Sequence, residues 1–262
     1  MASLKPTFTN ALLFLAHPGH ELRLHHLLET WQPVVYVLTD GSGSAGVPRI
    51  ASTLRLLERT GAKPGPIMGI YPDTDIYRMI LEGDCTAFRD LAETVAGHIV
   101  ERGINCVIGD MAEGYNPTHD LARMILSTAA HLAEQATGHP LPNYDFPLVN
   151  SSQLFENSPG AVVLRLDEAA LQRKLAAAMD YAELKGEVEV AIRRHGLDPF
   201  QKEVLRPVSS SEGFEWTGER PPYYETYGEK QVRAGVYRKA IRFVEDIRPL
   251  GLALRETYML HS

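Results

Sequence analysis

Cysteine is scarce in this chain. Of 262 residues only Cys85 and Cys106 carry a thiol, in dissimilar settings. Cys106 lies in the apolar run Ile104-Asn-Cys-Val-Ile, which suits core packing. Two scattered cysteines build no disulfide framework, so a reducing compartment is the default. Long apolar runs are lacking too. The N-terminal stretch 11–16 is too short for a bilayer, and His17-Pro18 follows it where a signal peptide would have small residues. We therefore expect neither a signal peptide nor a membrane span, and a cytoplasmic protein. An excess of basic charge is missing as well. Lys and Arg number 26 against 33 Asp and Glu, the net charge is −7, and both signs are interspersed. That excludes a nucleic-acid partner, which calls for a basic stripe. No internal repeat is visible. The length suits one large α/β domain, and a hydrophobic fraction of 44% suits a globular core.

Residues 1–10 read as a lead-in. Residues 11–16 are a continuous apolar run, the pattern of a strand covered on both faces. Leu22, Leu24, Leu27 and Leu28 predict a helix from Glu21 to about Thr30. Further strands are expected at 34–38, 67–71 and 106–109, with helices over Arg49–Thr60, Ile76–Leu81, Thr86–Arg102 and Thr118–Glu134. This alternation predicts a Rossmann-like three-layer α/β/α fold with a mainly parallel sheet. We expect a single domain over 1–262, with a core at about 10–135 and a C-terminal helical and loop extension, 136–262, completing it. In that extension, 137–158 holds short strands at best, 161–166 is a strand, Asp167 caps one long helix to about Arg194, 199–230 is loop-like, and Arg233–Glu245 is the last helix.

Ligands of such sheets bind at the C-terminal strand ends, where His17, Asp40, Asp73 and Asp110 fall. His17 and His20, three apart at a strand end, can converge on one point. Tyr115-Asn-Pro-Thr-His119-Asp120 opens a helix on the same rim and adds a third histidine. Three such ligands with an open position suit catalytic zinc. Taken alone, Asn116 or Thr118 is a helix cap and His119 incidental. His25-His26 reads as surface or structural. Gly41-Ser-Gly-Ser-Ala-Gly46 spells a dinucleotide pattern. It follows the second strand, Pro48 starts the helix after the last glycine, and the acidic residue wanted ~20 positions on is not clearly there. A rim loop is the better reading, with Arg49 and Asp73 as substrate contacts. The tyrosines of 219–230 suit a sugar-binding wall or a loop covering the core.

With both histidine motifs in view, the sequence resembles the PIG-L/LmbE family of metal-dependent N-acetylglucosaminyl deacetylases. That family carries A-H-P-D-D-E after its first strand and H-P-D-H later. Here they stand as Ala16-His-Pro-Gly-His-Glu21 and Asn116-Pro-Thr-His119. The glycine-rich loop, Arg59-Thr-Gly61 and Tyr71-Pro-Asp73 also match, and the likeness spans about residues 10–135. The resemblance implies a zinc (or other divalent metal) hydrolase that removes an acetyl group from an amino sugar. It implies His17, His20 and His119 as ligands, and a small carbohydrate as partner; apart from the resemblance, a homo-oligomer is left open. The family's general base falls on Gly19, which leaves room for another side chain or for substrate. Glu21, Asp40 and Asp110 are the candidates to replace that base. Asn116, in place of a histidine, and Tyr115 are oxyanion donors. A relative that binds a sugar-like ligand without deacetylating it is the alternative, and a dinucleotide enzyme the third reading.

Overall fold

The computed structural model describes residues 8–43, 46–209 and 213–259. Most of the lead-in, Ser44 and Ala45 of the glycine-rich loop, residues 210–212 and the last three residues lie outside the described residues. The apolar runs become strands β1 (Ala11–Leu15), β2 (Val34–Thr39), β3 (Lys63–Tyr71) and β4 (Cys106–Asp110). With β5 (Asn143–Phe146), β6 (Val162–Arg165) and β7 (Lys202–Pro207) they form one sheet in the order β3-β2-β1-β4-β5-β7-β6. The first five are parallel, and β7 runs antiparallel to both β5 and β6. Phe14 of β1 is paired with Tyr36 on one side and Gly109 on the other.

The pleat of β1 divides the core. Leu12 and Phe14 enter one apolar cluster, with Phe88, Val95, Ile125 and Leu254, while Leu13 and Leu15 enter the other, with Leu27, Leu57 and Ala177. Helices therefore cover both faces, which is why the central strands are apolar throughout. On one face lie α4 (Cys85–Glu101) and α5 (Pro117–Thr137), and on the other α1 (His25–Trp31), α2 (Ile50–Thr60) and α6 (Glu168–Asp180). The three-layer α/β reading holds. Cys106 is buried in the core as a free thiol. No helix among the described residues is long and apolar enough to cross a membrane.

The C-terminal third departs from expectation in three places. The long helix after Asp167 is broken: α6 stops where Tyr181 leaves helical geometry (ψ 91°), and α7 (Lys185–His195) begins four residues later. Tyr181 is buried, with its hydroxyl 2.9 Å from Thr53 Oγ1 of α2. A tertiary contact thus overrides local helix propensity. The stretch 199–230 is not all loop. It holds β7, whose inward Glu203 disguises the strand pattern, and α8 (Tyr223–Arg233), which follows Pro221-Pro222. The last helix is not 233–245 but α9 (Arg248–Met259). Gly235, at φ 72°, ends the preceding turn, and Asp246 accepts the Arg242 N–H at 2.8 Å to start a new one. Helix α3 (Asp73–Glu82) also begins earlier than expected, at Asp73 itself.

Candidate metal centre

Three local devices bring the histidines together. The chain leaves β1 through Ala16-His17-Pro18 and reverses at Gly19, whose φ of 101° suits glycine. A tight 3-10 turn over His20–Leu24 follows. Glu21, fully buried, pins that turn: one carboxylate oxygen accepts the Gly19 N–H at 2.7 Å and the other the Thr53 hydroxyl at 2.7 Å. His20 is thereby folded back beside His17. Across the sheet, Asn116 caps α5 by accepting the Thr118 N–H at 2.8 Å, Pro117 fills the first turn, and His119 follows on the inner face.

The three imidazoles meet edge to face. Ring centroids are 5.4 Å apart for His17–His20, 5.0 Å for His17–His119 and 4.7 Å for His20–His119. His17 Nδ1 lies 2.7 Å from Thr39 Oγ1 and 3.0 Å from Asp73 Oδ1. The Thr39 hydroxyl donates to the Ala16 carbonyl, so the His17 proton belongs on Nδ1 and leaves Nε2 as a lone pair. His20 Nδ1 lies 2.9 Å from Asp110 Oδ2, which also accepts the Ala16 N–H at 2.8 Å. His17 Nε2 and His119 Nδ1 are buried without a hydrogen-bond partner.

Burial lowers the pKa of both rings. For His17 it outweighs the pull of Asp73, and for His119 the neighbouring His20 and His17 add to it. Both rings are thus held neutral, the form that ligates. Asp73 is under opposite pressures: burial pushes its carboxyl up, but the neighbouring His17 and the Gly43 N–H hold it well below the usual carboxylate range. An orphaned buried nitrogen costs about 1–3 kcal/mol, and two on facing rings are what a cation would relieve. The donor set, imidazoles backed by carboxylates, fits zinc in kind. Among the described residues no set of three such groups already has its donor atoms converged on one ion, so the rings would have to turn to reach ligand distances.

The other expected site residues are placed as follows. Asp110 is a buried support for His20. Glu21 is a structural pin whose carboxyl is pushed up by burial. Asp40 is half-buried and spends Oδ1 on the Ser42 N–H at 2.9 Å. Asp73 supports His17 and accepts the Gly43 N–H at 2.6 Å, and Arg49 Nε donates to the Gly41 carbonyl at 2.7 Å. Both therefore hold the glycine-rich loop. Gly46 lies outside α2, and the Gly43 amide is spent on a carboxylate, an arrangement unlike a phosphate cradle. Tyr115 is 46% exposed and stacks on Tyr223 at 5.1 Å. His25 and His26 lie against Glu29, a structural pairing.

One expectation is overturned. The space at Gly19 is not open, because a Cβ built there would stand 2.3 Å from Leu184 Cδ1. Leu184, in the break between α6 and α7, packs where a side chain would go. Sequence reasoning missed Leu184 because it placed that residue inside a continuous helix. It also missed Thr39, whose only signal was its place at a strand end.

No protein-family model and no curated protein matches the chain. Solved structures do. A deacetylase from the biosynthesis pathway of teicoplanin, in complex with teicoplanin, superimposes with a TM-score of 0.51 at 16% identity, covering 76% of this chain and 97% of that one. The same pathway's deacetylase in a complex with bog gives 0.51 at 16% identity, over 77% and 98%. At this identity the likeness is one of fold.

Proposed function

We propose that the chain holds zinc on His17, His20 and His119 and hydrolyses the acyl group from an N-acylated amino sugar. The observation that carries the reading is the meeting of three imidazoles at the strand ends, two of them backed by buried carboxylates. The fold shared with deacetylases that act in teicoplanin biosynthesis supports the same chemistry. Zinc bound there would supply Lewis acidity toward the acyl carbonyl and a water with a pKa near ~7.

The chain's own residues orient rather than exchange protons. Asp73 and Thr39 fix His17, and Asp110 fixes His20, each through Nδ1. Asn116 has its oxygen turned to the Thr118 N–H, which leaves the amide N–H groups as donors. Among the described residues, none of the three candidate carboxylates is free to replace the one missing at Gly19: Glu21 and Asp110 are buried in structural hydrogen bonds, and Asp40 closes its own turn. A positioned base is worth about 10²–10⁴-fold. Turnover should therefore be slow and rise with pH as the water ionises.

Leu184 against Gly19 favours a second reading, a protein that binds the acylated sugar at its metal without cleaving it. Acetate release from a panel of N-acetylated amino sugars, with and without added zinc, separates the two. Zinc-dependent acetate supports hydrolysis, whereas saturable binding with no acetate leaves the binding role.

A further inference from the structure

We propose that Tyr181 is a positioning residue for the metal centre: through Thr53 and Glu21, its hydroxyl fixes the turn that aims His20. This rests on the reading above that His17, His20 and His119 share a metal ion.

Tyr181 stands in the break between α6 and α7, far along the chain from the histidines. Its backbone carbonyl accepts the N–H groups of Leu184 and Lys185, both at 3.0 Å, and so closes the break into a turn. Its side chain is buried in the core, with the hydroxyl 2.9 Å from Thr53 Oγ1 of α2. Thr53 has a single hydroxyl proton and donates it to Glu21 Oε1 at 2.7 Å. Tyr181 is therefore the donor to Thr53. Burial and the charge of Glu21 raise the Tyr181 pKa, so the phenol keeps that proton. Glu21 Oε2 in turn accepts the Gly19 N–H at 2.7 Å. A continuous line of hydrogen bonds thus joins the break to the ligand turn.

The last bond of that line encloses His20. It ties the residue before His20 to the residue after it, so the His20 backbone is held on both sides, while Asp110 holds the ring at 2.9 Å. An imidazole binds a metal along its lone pair, so a turn that shifts carries the ring off its target. The line is buried throughout: Thr53 and Glu21 are fully buried, and Tyr181 nearly so. Water cannot replace a lost member there, and such chains strengthen each other in a low-dielectric interior. For packing alone a phenylalanine would fill the same space. The hydroxyl adds a donor whose receiver is the Thr53–Glu21 pair. A neighbouring contact supplies the control. The Ser52 hydroxyl donates to Glu183 at 2.8 Å, holding the same break to the same helix without reaching Glu21.

Cobalt(II) titration of the metal-free protein tests the role, since the visible absorption bands report ligand direction and the titration reports affinity. Urea midpoints of the metal-free forms measure the fold separately. Tyr181→Phe should bind cobalt about 10-fold more weakly, the low end of the range for partners behind a ligand, and should shift the bands. Thr53→Val should do the same, and Thr53→Ser should keep the parent's affinity. The Tyr181→Phe, Thr53→Val double variant should bind no worse than Thr53→Val alone, as links of one line should. Ser52→Ala should lower the urea midpoint and leave cobalt binding unchanged. Unchanged affinity and bands in Tyr181→Phe and Thr53→Val overturn the positioning role and leave the metal reading standing. Equal weakening in Ser52→Ala does the same. If Tyr181→Phe does not fold, the contrast between Thr53→Val and Thr53→Ser decides in the same way. A parent that binds no cobalt removes the metal reading and the positioning role with it.

Discussion

Placing Asp at position 19, where the family keeps its base, should damage this protein, and removing Leu184 should relieve the part of the damage that comes from overlap. Two costs add in Gly19→Asp. The backbone there stands at φ 101°, which an L side chain adopts at a cost of about 1–3 kcal/mol. The new Cβ would also lie 2.3 Å from Leu184 Cδ1, an overlap worth about 1–3 kcal/mol of forced repacking. Leu184→Ala alone removes contacts of a half-buried side chain, at about 1–2 kcal/mol, below the range for fully buried leucines. In the double variant the overlap disappears while the strain stays. The double-mutant cycle should then show a favourable coupling of about 1–3 kcal/mol. Urea denaturation of the four proteins measures it. Additive losses, or a Gly19→Asp protein as stable as the parent, would refute the packing of Leu184 against Gly19.

Further outcomes follow from the same contacts. Asp110→Asn weakens the orientation of His20 and should lower zinc affinity about 10–100-fold, read by competition with a chelator, with little change in the circular dichroism spectrum. Asp120, fully buried and with its carboxyl pushed up to about 7 by burial, keeps its proton in the folded state over a range where the unfolded chain releases it near ~3.9. Its contribution is present below that lower value and is lost as pH rises toward 7. Metal-free parent protein should therefore lose stability relative to Asp120→Asn by up to roughly 1.4 kcal/mol per pH unit across that window. Parallel stability curves for the two proteins would contradict the burial of a protonated Asp120.

The parts legible in the sequence are those written locally. The runs 11–16 and 106–109 became the paired central strands β1 and β4 because both faces are covered, so no alternation had to be read. Asn116-Pro117 announced the start of α5 by capping chemistry. The parts that were not legible depend on contacts distant in sequence. Tyr181 breaks a helix of good propensity because Thr53, 128 residues away, holds its hydroxyl. Glu203 reads as a polar interruption of a strand, yet it is buried against Lys174 and caps α1 through the His26 and Leu27 N–H groups. In the centre, residue types and strand ends pointed to the three histidines. Which carboxylate supports which ring, and that Leu184 fills the place expected to be open, is fixed only by the packed molecule.

On the proposed reading His17, His20 and His119 share one metal ion. The direct measurement is zinc content after dialysis against a weak chelator, by elemental analysis, for the parent and for His17→Ala, His20→Ala and His119→Ala. The parent should hold about one zinc per chain, and each variant should lose most of it while the fold is kept. A parent that holds no zinc at saturating metal, or a His119→Ala variant that holds as much as the parent, would contradict it.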